Sequence, residues 1–242
     1  VDIKKGERII FSAGISEISP RRLKQTFEAE VADRTPRDSF YHCLKNSAHQ
    51  FHNKQEEDHY ILAGYPWFKC RARDMFVSLP GLTLAVDEIG EFEDVMETAR
   101  KAINNYIKGE PIGCKIYEMD DPDVLLWAVW ALQQYAKETS REQCRAKYGS
   151  LLEEIIDFIR QRKHDNLFLH ENGLLYANGA DRAITWMNST VNGRPVIPRT
   201  GYIVEINALW YNALRFIADL VREGGNGLLA DSLDAQAEVT GK

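Results

Sequence analysis

Residues 92–109 read FEDVMETARKAINNYIKG, and their periodicity sets the fold class. Phe92, Val95, Met96, Ala99, Ala102, Ile103, Tyr106 and Ile107 fall three or four apart, so a 3.6-residue winding gathers them into one apolar stripe. Gly109 then supplies a stop. The same period extends on both sides. Toward the C-terminus, helices are expected over about Pro122–Lys137, over about 141–162 behind a Ser140 cap with Leu151, Leu152, Ile155, Ile156 and Ile159 inside, and from Val204 through Ile206, Trp210, Ala213, Leu214, Ile217 and Val221 to Gly224-Gly225. A weaker helical pattern runs on from there. Toward the N-terminus, Ser19-Pro20 can open a helix. A second start is Thr35, a cap with Asp38 three residues on, followed by Phe40, Cys43, Leu44, Ala48 and Phe51. Strand signal is slight: the run Gly6–Ser12, and a small hairpin in the polar stretch 163–203 from Leu167–His170 and Leu174–Tyr176. Seven or eight helices predict an all-α fold, and both a toroid of paired helices and a helical protein-binding scaffold fit it.

The 242 residues are enough for a sizeable core without a disulfide or metal staple. With 44% hydrophobic and 27% charged residues the composition is that of a globular domain, which excludes disorder and collagen. No apolar run approaches the ~18 residues that cross a bilayer, so no membrane partner is expected. The net charge of −6 argues against nucleic acid. Cys43, Cys70, Cys114 and Cys144 are far apart, form no CxxC pair, and suit a reducing, cytoplasmic setting. His42, His49, His52 and His59 crowd one stretch, yet no neighbouring Cys or carboxylate completes a ligand set, so no metal and no cofactor are expected. The chain begins at Val1, which reads as a processed end or a piece of something longer.

Three stretches break helical logic. Residues 63–74 (AGYPWFKCRARD) and 78–82 (SLPGL) surround Arg73-Asp74 with Tyr65, Trp67 and Phe68. Aromatic faces stack on sugar C–H faces while a guanidinium and a carboxylate grip hydroxyls. The same residues also suit a buried turn closed by an Arg–Asp ion pair. In Asp120-Asp121-Pro122-Asp123, the acids complement a helix dipole, and Asp123 and Trp127 share a face at i, i+4. The loop from Asp181 carries Trp186, Asn188 and Arg199 and delivers Glu205 at a helix start, where an acid is either a dipole partner or a pocket residue.

Taken in order, AGYPWF…RD…SLPGL, DVLLW, TWMN, GRPVIPRTG and VEINALWYNAL resemble the amylo-α-1,6-glucosidase domain of glycogen debranching enzymes, over about residues 39–218. The resemblance implies an (α/α)6 toroid of the glucoamylase and trehalase type, a funnel for a terminal glucose, and hydrolysis of α-1,6 branch stubs of an α-glucan with inversion. It implies that Arg73 and Asp74 hold the glucose, with Tyr65, Trp67, Trp127, Trp186, Asp123 and Arg199 at substrate positions and Glu205 as a catalytic candidate. Two departures stand out. The usual WGRD is Arg71-Ala72-Arg73-Asp74, and the usual TWMD, whose aspartate resembles the general acid, ends in Asn188. A carboxamide has no proton to give, so Glu205 or Asp181 takes over, or the site binds sugar without cleaving it well. The general base is expected beyond the VEINALWYNAL helix. Residues 1–18 then read as a lead-in and 19–242 as seven or eight of twelve toroid helices, with an exposed open side that offers a surface for association.

Overall fold

In the computed structural model, which describes residues 4–14, 16–65 and 67–241, the chain divides into two compact units, Val1–Gln50 and Phe51–Lys242. The expected lead-in over 1–18 falls inside the first unit, and its residues 1–3 and 15 lie outside the described ones. The strand-like run Gly6–Ser12 forms no strand among the described residues.

The first unit holds α1 (Leu23–Asp33) and α2 (Phe40–His49). The turn after Ser19 is taken up by an Arg22 N–H to Ser19 carbonyl bond of 2.9 Å, so the helix starts later than Ser19-Pro20 predicts. The cap of α2 is Ser39, whose hydroxyl accepts from the His42 N–H at 3.1 Å. Thr35 lies ahead of the Phe40 start and does not cap the helix; its carbonyl accepts from the Asn46 side chain at 2.7 Å. The expected apolar stripe also fails here. Phe40 is 81% exposed, Ala48 alone of that set is buried, and Phe51 lies past the helix end.

The second unit opens with an antiparallel hairpin of β1 (His52–Gln55) and β2 (Asp58–Ile61), in which His52 faces Ile61 and Lys54 faces His59. Next come β3 (Cys70–Arg71) and α3 (Ala72–Leu82), a 3₁₀ turn at Leu84–Val86, and α4 (Ile89–Lys108). β4 (Ile116–Tyr117) pairs in parallel with β3. Residues 72–82, which include the SLPGL stretch that breaks helical logic, are helical with Pro80 inside. A proline in a helix costs about 3 kcal/mol. Met75, Phe76 and Leu79 are fully buried and return about 2 kcal/mol each, so burial wins.

The 92–107 stripe is borne out: Phe92, Val95, Met96, Ala99, Ala102 and Ile103 are buried. Gly109, at φ 71°, closes α4, with the Glu110 N–H on the Asn105 carbonyl at 2.8 Å. α5 (Val124–Glu138) is apolar nearly all round and therefore central, packing on α3, α6 (Arg141–Arg160) and α7 (Val204–Glu223). Ser140 caps α6 as expected, accepting from Gln143 N–H at 3.0 Å. Between α6 and α7 lie two hairpins rather than one: β5 (Leu167–Leu169) with β6 (Leu175–Ala177), and β7 (Thr190–Val191) with β8 (Arg194–Pro195). α8 (Gly227–Thr240) packs on α7 and makes eight α-helices among the described residues. None of the described helices is long and apolar enough to cross a membrane.

Candidate functional site

Arg73 enters α3 one residue after the helix starts, and the helix turns its side chain inward. Only 7% of the residue is exposed. Its Nε donates to Asp123 Oδ2 at 2.8 Å, and its Nη2 donates to Asp123 Oδ1 at 2.8 Å, Asp121 Oδ2 at 2.7 Å and the Ile184 carbonyl at 3.1 Å. One guanidinium thus ties α3 to the start of α5 and to the loop that carries Trp186. Burial works against its charge, but Asp123 and Asp121 more than offset that and hold its pKa above the ordinary arginine value.

Asp121 is buried as well, at 5% exposure. Burial pushes its carboxyl up to about 7, with Asp123 adding like-charge repulsion and Arg73 and Arg182 pulling the other way. Arg182 donates to Asp121 Oδ1 at 3.1 Å and also pairs with Asp120. Asp123, 1% exposed, accepts on Oδ2 from Trp127 Nε1 at 3.2 Å as well as from Arg73. The i, i+4 spacing therefore makes a hydrogen bond that sets the indole plane.

These groups line a cavity of about 510 Å³, within the usual range for small-ligand sites. Its wall is made by Arg73, Asp74, Val77, Ser78 and Leu82 of α3, by Asp123 and Trp127, by Phe51, Leu62 and Ala63 flanking the first hairpin, and by Trp186 and Glu205. Asp74 does not pair with Arg73. Consecutive helical positions point about 100° apart, so Arg73 turns into the protein and Asp74 stays exposed at the wall.

Glu205 sits in the first turn of α7. Its Oε1 accepts from Trp186 Nε1 at 3.1 Å and from the Arg199 guanidinium. Arg199 also contacts the Met187 sulfur at 2.9 Å. The loop segment that delivers Arg199 runs against Gly179, where an added Cβ would meet the Arg199 carbonyl at 2.5 Å and Ile184 Cγ1 at 2.7 Å. Only glycine lets these two backbones approach so closely.

Of the residues singled out from the sequence, Arg73, Asp74, Asp123, Trp127, Trp186 and Glu205 come together at the cavity, and Arg199 braces Glu205 from behind. Tyr65, Trp67 and Asn188 are exposed and are not part of its wall. Tyr65 nonetheless lies 6.4 Å, ring to ring, from the wall residue Phe51. Pro66 of the AGYPWF stretch lies outside the described residues. Sequence reasoning missed Asp121 as a partner of Arg73, and missed Phe51, Leu62, Val77 and Leu82 as wall.

Compared with known proteins, residues 44–226 match the family described as amylo-alpha-1,6-glucosidase. No curated protein and no solved structure gave a match.

Proposed function

Since the chain belongs to the amylo-alpha-1,6-glucosidase family, we propose that the cavity takes the terminal glucose of an α-glucan and that the domain hydrolyses α-1,6 branch stubs of glycogen or a related glucan, releasing glucose. The observation that carries this reading is convergence. RD at 73–74, DVLLW at 123–127, TWMN at 185–188 and VE at 204–205 are far apart in sequence, yet each contributes a side chain to one cavity wall. Trp127 and Trp186 offer flat apolar faces to a sugar ring, and Asp74 and Glu205 offer acceptors to its hydroxyls.

Inverting hydrolysis needs one carboxylic acid to protonate the leaving oxygen and one carboxylate to activate water, about 6.5–9.5 Å apart. Glu205, held at the wall by Trp186 and Arg199 on one oxygen, is the candidate for one of these two groups. Carboxyl groups suffice for this chemistry without metal or cofactor. The paired helices of the second unit fit an (α/α)6 toroid with the cavity at its loop end. The free cysteines fit a reducing compartment, and we assign the protein to the cytoplasm.

A second reading rests on Asn188, an amide where the resemblance implies the general acid: a carbohydrate-binding relative with impaired hydrolysis. The experiment is glucose release from an α-1,6-branched limit dextrin by the wild-type chain and by Asn188→Asp. Release by wild type supports the hydrolase. Release only after the substitution, with a gain on the order of 10²–10⁴, supports the impaired relative. Saturable glucan binding with no release from either protein contradicts hydrolysis.

A further inference from the structure

The hairpin at the cavity edge carries a cluster that the glucosidase reading does not use. His52 and His59 lie on the two strands two residues apart in register, so their side chains share one face, and both reach α4. Glu91 and Asp94, one turn apart in α4, meet them there. His52 Nδ1 lies 3.4 Å from Glu91 Oε2, His59 Nδ1 lies 3.9 Å from the same oxygen, and His59 Nδ1 lies 3.7 Å from Asp94 Oδ2. One donor atom from each of His59, Glu91 and Asp94 falls within 4.8 Å of the others.

The geometry points to a divalent transition-metal site, of the Zn²⁺ type, formed by His59, Glu91 and Asp94, with His52 beside Glu91. Three observations lead to it. The first is spacing. Ligands held about 2.0–2.2 Å from Zn²⁺ in a tetrahedron stand about 3.3–3.6 Å apart, and His59 Nδ1 lies 3.9 Å from Glu91 Oε2 and 3.7 Å from Asp94 Oδ2, so a small contraction is enough. That contraction falls on Glu91 and Asp94, whose side chains are 42% and 58% exposed and free to adjust.

The second is the state of His52. Its Nε2 lies 3.3 Å from the Leu82 carbonyl oxygen, which can only accept, so Nε2 carries the proton. Its Nδ1 faces Glu91 Oε2 at 3.4 Å, so the ring is already oriented toward the carboxylate that would hold the ion. A ligating histidine characteristically donates its other ring N–H to a backbone carbonyl in this way. The third is that the frame is pre-set: the His59 backbone N–H is anchored on α4 by a 2.9 Å bond to Thr98 Oγ1, and both imidazoles are mostly buried. An imidazole with two carboxylates suits Zn²⁺ or a neighbouring first-row ion better than Ca²⁺ or Mg²⁺, which take oxygen ligands alone.

Such an ion would staple the hairpin to α4. The residues flanking that hairpin, Phe51 and Leu62, form part of the cavity wall, so the staple would fix one side of it. The proposal concerns ion uptake alone and stands whether or not the cavity cleaves glucan.

The test uses the chain freed of any affinity tag, stripped with chelator and dialysed. Zn²⁺ is titrated by calorimetry, and Co²⁺ serves as an optical probe, since four-coordinate Co²⁺ gives intense visible bands. The expected result is one ion per chain, a raised Tm with Zn²⁺, and an affinity reduced about 10-fold or more in both His59→Asn and Glu91→Gln. Far-UV circular dichroism confirms that the variants keep their helices, and Glu91→Gln, on an exposed side chain, gives a folded comparison should His59→Asn unfold. No stoichiometric uptake, or uptake undiminished in folded Glu91→Gln, would overturn the site and leave the cluster as ion pairs only.

Discussion

Replacing Arg73 separates its two roles, holding the fold and shaping the cavity. The side chains of Arg73, Asp121 and Asp123 are 8%, 7% and 2% exposed, so the pairing operates away from water. Arg73→Met keeps the apolar stem but deletes all four hydrogen bonds and leaves two buried carboxyl groups without their cation. Breaking one side of a buried ion pair costs about 3–5 kcal/mol. Asp121 can lessen its share by taking up a proton, the more readily once Arg73 no longer holds its carboxyl down, so the cost grows as pH rises. Arg73→Lys keeps a charge but cannot reproduce the fork on Asp123 and the reach to Ile184, so it loses about two charge-assisted bonds and falls between, at about 2–3 kcal/mol. For a chain of this size Arg73→Met then lowers Tm on the order of 10 °C. Urea unfolding followed by far-UV circular dichroism at pH 8 measures both. A loss below about 1 kcal/mol for Arg73→Met would refute the claim that this guanidinium organises the site.

Asp74→Asn tests the opposite case. Its side chain is exposed at the cavity wall, so stability should stay within about 0.5 kcal/mol of wild type while glucan affinity measured by calorimetry falls; equal loss of both would contradict its separate placement. The pH dependence of stability carries a second signature. Asp121, raised to about 7, stays protonated in the folded chain where the unfolded chain ionises near 4, so its contribution erodes stability as pH rises from about 4 to about 7. His164 works the other way. Burial pushes it down to about 4, so stability is lost as pH falls from about 6.5 toward 4. Asp121→Asn removes only the first, so the variant should gain on wild type by up to about 4 kcal/mol between pH 4 and pH 7. Urea midpoints across that range check it, and a pH-independent difference would contradict it.

What the sequence made legible depended on range. The stripes of α4 and α7, the Ser140 cap and the shared face of Asp123 and Trp127 are consequences of spacing within one helix, and each is present. α3 was hidden because Pro80 and Gly81 speak locally against a helix, whereas three fully buried side chains decide globally in its favour. The β7–β8 hairpin was readable in principle. Its turn is Asn192-Gly193, with φ of 49° and 76°, a pairing that favours this kind of turn. Arg73 and Asp74 are adjacent in sequence, but a helix sends neighbours in different directions, so the true partners, Asp121 and Asp123, lay some fifty residues away. A separation of 39 residues likewise kept Glu91 from being read with His52. No period or motif encodes which helix a hairpin will meet.

The central claim is that motifs scattered from Arg73 to Glu205 build one glucan-binding cavity. Intrinsic tryptophan fluorescence tests it most directly, because Trp127 and Trp186 are two of the five tryptophans and both line the wall. Titration with an α-1,6-linked isomalto-oligosaccharide should give a saturable change in emission that falls sharply in Trp186→Phe and vanishes in the Trp127→Phe/Trp186→Phe double variant. An unchanged spectrum at millimolar sugar, or a change that survives in the folded double variant, would contradict the account.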